Sequence, residues 1–154
     1  MTTIACTKKS MSADSQATSG ASASSTTKIF KGRDYIVGYA GTESAGRKFV
    51  SWLKDRETDK PSLSDFEALV LHYDGRMEYW DDNMFPIEIR DSYYAIGSGA
   101  DFASGALFHG HSTEEAVKAA SKHDVYTGGR TRTYYVPVVN SGKSTTGNDD
   151  EETD

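Results

Sequence analysis

An α+β fold of two packed antiparallel sheets covered by helices is what this sequence predicts, on three observations. Short strand-like stretches recur in pairs joined by tight turns, most plainly in FEALVLHYDGRMEYWDD, where a DG turn separates two strand patterns. Other stretches carry apolar residues at helical spacing, and one opens with a capping box. The helices fall in groups instead of following every strand, which favours antiparallel layers over a parallel sheet.

Taken in order, TTIACT and SMSADS read as paired strands around the short turn KKS. Residues 15–27, SQATSGASASSTT, are small and polar and read as a flexible loop. KIF and DYIVGYA flank KGR as a second hairpin. A helix is expected from Glu43 to Lys54, with Ala45, Phe49, Trp52 and Leu53 on one face. RETDKPS is a loop, and after the DG hairpin PIEIRD and YYAIGS continue the sheet. A further helix should start just after Gly99 and run to about Phe108. Ser112 with Glu115 three residues on opens another, burying Ala116, Val117 and Ala120. RTRTYYVPVV closes the chain as a strand.

Its 154 residues suffice for one domain with a sizeable core. No apolar run is long enough to span a bilayer, and the N-terminus lacks a secretory h-region. The single cysteine, Cys6, rules out an internal disulfide framework and points to a reducing, cytoplasmic setting. Of the net charge of -6, five units lie in the last eight residues, GNDDEETD, so residues 1–146 carry -1. The body therefore has no basic stripe for a nucleic acid. The two units expected are a domain over 1–140 and a disordered, solubilising acidic tail over 141–154.

Among residues with chemistry to offer, Met1 precedes a small residue, so aminopeptidase processing would expose Thr2. A terminal threonine joins a hydroxyl nucleophile to an amine that titrates near ~8 and can take its proton. Asp14 ends the second strand of the first hairpin, Lys28 heads the next strand, and Gly97-Ser98-Gly99 sits where a strand hands over to a helix. His109-Gly110-His111 reads as an exposed turn and Cys6 as a small buried strand residue. Trp52, Trp80, Tyr93 and Tyr94 read as core and sheet residues, and Asp81-Asp82-Asn83 as an acidic turn without the rest of a calcium loop.

The order TTIA…ADSQ…KIF…IVGYAG…AIGSGADFASGAL…DVYTGG resembles the proteasome β-subunit and bacterial HslV family of N-terminal-nucleophile (Ntn) hydrolases, over Thr2 to about Val139. The resemblance implies a four-layer αββα sandwich of two antiparallel sheets. It implies Thr2 as nucleophile, Asp14 as the carboxylate positioning Lys28, and Lys28 as the active-site lysine. Gly38 is matched to the oxyanion glycine, Ser98 to the serine near the terminal amine, and Asp124 with Thr127 to the pair completing that network. Threonine at the last position is usual in the HslV branch. Segment 15–27 becomes the wall of a substrate cleft, and Ile36, Ala40 and Ser44 are expected beside Thr2. The implied activity is threonine endopeptidase action on polypeptides without metal or organic cofactor, in a homo-oligomer, with an ATP-dependent unfoldase as the partner such enzymes use. A non-catalytic assembly or binding protein and a small-molecule amidase are the alternatives. In one departure from the family, little more than RETDKPSLSD separates Lys54 from FEALVLHY, so one helical layer is shortened.

Overall fold

The computed structural model describes residues 2–138, so Met1 and the expected acidic tail lie outside the described residues. In chain order the strands and helices are β1 (Thr3–Thr7), β2 (Ser10–Ala13), β3 (Gln16–Ser19), β4 (Ser22–Ser25), β5 (Ile29–Lys31), β6 (Tyr35–Gly41), α1 (Glu43–Lys54) and β7 (Phe66–His72). Then follow β8 (Met77–Asp81), β9 (Ile87–Ile89), β10 (Tyr93–Gly97), α2 (Ala100–Phe108), α3 (Thr113–His123) and β11 (Arg132–Tyr135). One sheet runs β10-β1-β2-β11 and the other β5-β6-β7-β8-β9, both antiparallel throughout. Helices α2 and α3 cover the first sheet and α1 covers the second, which makes four layers.

Strand alternation explains the layering. Ile4, Cys6, Met11, Ala13 and Ile96 of the first sheet face Ile36, Leu69 and Leu71 of the second in the core between the sheets. The opposite face of β1 and β2 is small or hydroxylated. Ala5 packs on Ala103, Ala116 and Val117, while Ser12 bonds Thr113 at 2.8 Å and Thr133 at 2.7 Å. Small residues on both sides let α3 lie close to the sheet, and hydrogen-bonded hydroxyls remove the cost of burying them. The Ser112–Glu115 capping box fixes where α3 begins. Burial in the inter-sheet core pushes the Cys6 thiol pKa far up, which makes it a packing residue instead of a reactive one.

The outer layer on the second sheet holds a single helix, and large aromatics compensate. Phe49 of α1 meets Phe66 and Trp80 at ring separations of 4.9 and 5.2 Å, and Trp52 meets Trp80 at 5.6 Å. The Arg56 guanidinium covers both indoles, and Leu63, from the loop between α1 and β7, closes the same cluster. The segment expected as a flexible loop, 15–27, is instead largely the hairpin β3–β4, paired from Gln16↔Ser25 to Ser19↔Ser22. Its small polar side chains gave no strand pattern, and anchoring of its ends makes the pairing. Ser15 N donates to Gly128 O, and Thr26 N donates to Ser15 O.

Gly46 lets α1 approach β6, because a Cβ there would stand 2.1 Å from the buried Tyr39 ring. Gly46→Ala gains about 1 kcal/mol of helix propensity but overpacks a filled contact at a cost of about 1–3 kcal/mol. Urea unfolding should therefore show a lower midpoint for Gly46→Ala, and an equal or higher midpoint contradicts this packing.

Candidate active site

Thr2 enters β1 at the mouth of a cleft and is 4% exposed. The end of β10 crosses directly over it. Gly97 has φ +95°, and a Cβ there would lie 1.9 Å from the Thr2 carbonyl oxygen, so only glycine admits this crossing. Ser98 Oγ and Gly99 N each approach that carbonyl at 3.4 Å.

Asp14 and Lys28 meet beside Thr2. Lys28 Nζ donates to both Asp14 carboxylate oxygens at 3.0 Å, with both residues almost fully buried. Asp14 also accepts from Thr3 N at 3.0 Å, Gly128 N at 3.1 Å and Gln16 N at 3.3 Å. These backbone donors tie the carboxylate to β1, to β3 and to the loop before β11 at once. Burial drives the Lys28 ammonium pKa below the ordinary lysine value, and the Asp14 carboxylate only partly restores it. The result is a lysine held at the cleft floor with a weakened grip on its proton.

A second network lies on the α3 side. Asp124 Oδ2 accepts Ser98 Oγ and Thr127 Oγ1, each at 2.6 Å, and Oδ1 accepts Tyr126 N at 3.1 Å. Thr127 spends its one hydroxyl proton on Asp124, so in the 2.7 Å contact between Thr3 Oγ1 and Thr127 Oγ1 the donor is Thr3. Burial pushes the Asp124 carboxyl pKa up, but the hydrogen bonds from Ser98, Thr127 and the Tyr126 backbone outweigh it and hold the group below the ordinary aspartate value. Gly99 leaves room for this bridge, since a Cβ would come within 2.0 Å of Thr3 Oγ1.

The structure thus brings Thr2, Asp14, Lys28, Ser98, Asp124 and Thr127 to one end of the first sheet. Gly38 it places elsewhere. Tyr39 N donates to Lys28 O on the β5 side, so alternation turns Gly38 N–H towards β7. A Cβ on Gly38 would meet Ile4 and Met11 in the inter-sheet core, away from the cleft. The glycine that lines the cleft with Thr2 is Gly41, at φ +100° where β6 gives way to α1. It shares the parity of Tyr39, so its N–H turns to the cleft side. The stretch IVGYAG holds both glycines, and the signal for the second was its place at the strand-to-helix junction. Ile36 and Ala40 likewise turn into the inter-sheet core, and Ser44 is exposed and does not line the cleft.

The cleft has a volume of about 410 Å³. Ala17, Thr18 and Ser24 of the β3–β4 hairpin form one wall, Lys28 and Tyr39 the floor, and Thr42 with Glu43 the other wall. Among the described residues, no group of three or more His, Cys, Asp or Glu side chains is placed to hold a metal ion. His109 and His111 are exposed at the α2–α3 turn. No helix among the described residues is long and apolar enough to cross a membrane.

No family model matches the sequence, and no curated protein matches it. Solved structures do match over nearly the whole chain. Thiobacillus denitrificans BPH in complex with epoxomicin aligns with TM-score 0.68 at 15% identity, covering 90% of this chain and 99% of that one. Eukaryotic HslV from Trypanosoma brucei aligns with TM-score 0.65 at 21% identity, covering 86% and 98%. A Gly-1 mutant of Anbu from Hyphomicrobium sp. strain MC1 aligns with TM-score 0.66 at 12% identity, covering 88% and 81%. The chain therefore has the Ntn-hydrolase fold. Within that class it is similar to the HslV- and proteasome-like structures.

Removing Asp14 strands a buried ammonium, which typically costs about 3–5 kcal/mol. Asp14→Asn should destabilise the protein by that order in urea unfolding. The double variant Asp14→Asn/Lys28→Met should recover part of the loss. Two single effects that simply add would show that the pair is not coupled.

Proposed function

We propose that this chain is a threonine peptidase that hydrolyses peptide bonds with Thr2 as nucleophile once Met1 is removed. The observation that carries the reading is the buried Asp14–Lys28 pair in the cleft that Thr2 lines. The Thr2 hydroxyl attacks the substrate carbonyl carbon while its own α-amine takes the hydroxyl proton. Lys28, fixed by Asp14, favours the neutral form of that amine and stabilises negative charge growing on the threonine oxygen. Gly41 N–H donates to the oxyanion of the tetrahedral intermediate. Its collapse breaks the C–N bond, the α-amine passes its proton to the leaving amine, and an acyl ester remains on Thr2. Water then attacks the ester, with the α-amine as base, and releases the acid.

The Ser98–Asp124–Thr127 network holds the β1 start and the terminal region in place, so these are positioning groups in this reading. The β3–β4 hairpin offers backbone groups along the cleft wall to an extended chain, which favours peptides over small amides. A homo-oligomer and an ATP-dependent unfoldase partner belong to the same proposal. Exposed Phe85, Ile87, Phe102 and Phe108 supply apolar surface for assembly.

Epoxomicin, bound by the Thiobacillus protein in its solved complex, is the fitting probe. Intact mass of the purified chain should show loss of Met1 and one epoxomicin adduct. Thr2→Ala should abolish the adduct, and Lys28→Ala should slow peptide hydrolysis by about 10²–10⁴-fold. A processed chain that takes no adduct, or an adduct that survives Thr2→Ala, contradicts the reading.

A further inference from the structure

The cleft beside Thr2 holds one carboxylate that the chemistry does not use. Glu43 is the first residue of α1 and lines the cleft with Thr2, Lys28 and Tyr39. Its Oε1 accepts the Thr26 hydroxyl from the opposite wall. Among the described residues, no ion pair engages it. The Lys28 charge is held chiefly by Asp14 at 3.0 Å, with Glu43 acting on it more weakly and beyond ion-pair distance. Arg47, one turn along α1, is engaged elsewhere, with Nε 3.2 Å from the Tyr39 hydroxyl and the guanidinium 5.2 Å from the Phe30 ring centre. A carboxylate in a first helical turn favours the helix dipole wherever it stands in that turn. Of the positions in that turn, Glu43 is the one that lines the cleft with Thr2.

The remaining lining points the same way. Thr18, Ser24 and Thr26 bring hydroxyls to the cleft, and its lining is more polar than apolar, which suits a side chain with a polar end. A second hollow shares Gly41 with this cleft and is lined by Asp65, Glu67, Asp81 and Asp82, none of them in an ion pair among the described residues. Both sides of the Gly41 strand end therefore present negative charge to an approaching chain.

We propose that the cleft selects peptides carrying lysine or arginine next to the scissile bond on its acyl side, with Glu43 as the specificity-determining group. This rests on the assignment of Thr2 as nucleophile. A guanidinium or ammonium entering the cleft donates a charge-assisted hydrogen bond to the Glu43 carboxylate and further hydrogen bonds to the hydroxyl oxygens of Thr18, Ser24 and Thr26.

The test uses the full chain and three peptide epoxyketones identical except for the side chain beside the warhead: arginine, leucine or glutamate. Labelling rates are followed by intact mass. The arginine reagent should label at least about 10-fold faster than the leucine reagent, and the glutamate reagent slowest of all. Raised salt should narrow the spread. Glu43→Gln should cut the arginine-to-leucine ratio about 10-fold, Glu43→Asp should keep part of it, and Glu57→Gln, in the loop beyond α1, should leave it intact. Each ratio is taken within one protein, so a change in stability cancels. Equal or faster labelling by the leucine reagent overturns the specificity and leaves Thr2 as nucleophile. An arginine advantage that survives Glu43→Gln overturns the role of Glu43. Labelling by none of the three overturns the peptidase reading and the selectivity with it.

Discussion

A lysine ammonium that is 4% exposed can stay charged only beside a matched carboxylate, and the Asp14–Lys28 pair is the constraint around which this fold is organised. Asp14 needs more than Lys28 to be satisfied at that depth, and its other donors are backbone N–H groups of Thr3, Gln16 and Gly128. Each comes from a different part of the chain. The electrostatic demand of one buried lysine therefore pins the start of β1, the base of the β3–β4 hairpin and the loop before β11 to a common point. That point is where Thr2 lies. The same ion pair that stabilises the site also specifies its geometry.

Around this point the chain makes room by omission. Gly97 and Gly99 remove side chains where β10 and α2 press on Thr2 and Thr3, and Gly41 removes one where β6 turns beneath Asp65. A Cβ at Gly41 would stand 2.2 Å from the Asp65 carbonyl oxygen. Hydroxyls fill the remaining space: Thr3, Ser98 and Thr127 form a chain of short hydrogen bonds that ends on Asp124. A fully hydrogen-bonded network of this kind rigidifies its surroundings. The outer layer is built differently, with Phe49, Trp52 and Trp80 under Arg56 standing where a single helix must shield a five-stranded sheet.

Most of this was legible in the sequence because local signals and tertiary demands agree. The DG hairpin, the α3 capping box and the α1 face read from spacing alone are all present as read. Thr2, Asp14, Lys28 and the GSG turn could be picked out because they stand at strand ends, and only the resemblance to HslV-type hydrolases joined them, with Asp124 and Thr127, into a set. Two features were not legible. Hairpin β3–β4 has no alternating apolar pattern, since its pairing follows from anchored ends and not from a buried face. Gly38 and Gly41 are three residues apart and so face opposite ways, but which face meets the other sheet depends on how the sheets stack. Ile36 and Ala40 were misplaced for the same reason. The position of Glu43 opposite Thr26 needed both walls of the cleft to be seen together.

The central claim is that Lys28 tunes the amine of Thr2. Titration of that amine by NMR, in processed protein selectively labelled with ¹⁵N-threonine, tests it most directly. A cation held beside it should place its pKa below the usual range of about 7.7–8.0 for a chain terminus, and Lys28→Met should raise it. An amine that titrates at or above that range, and does not move when Lys28 is replaced, would contradict the account.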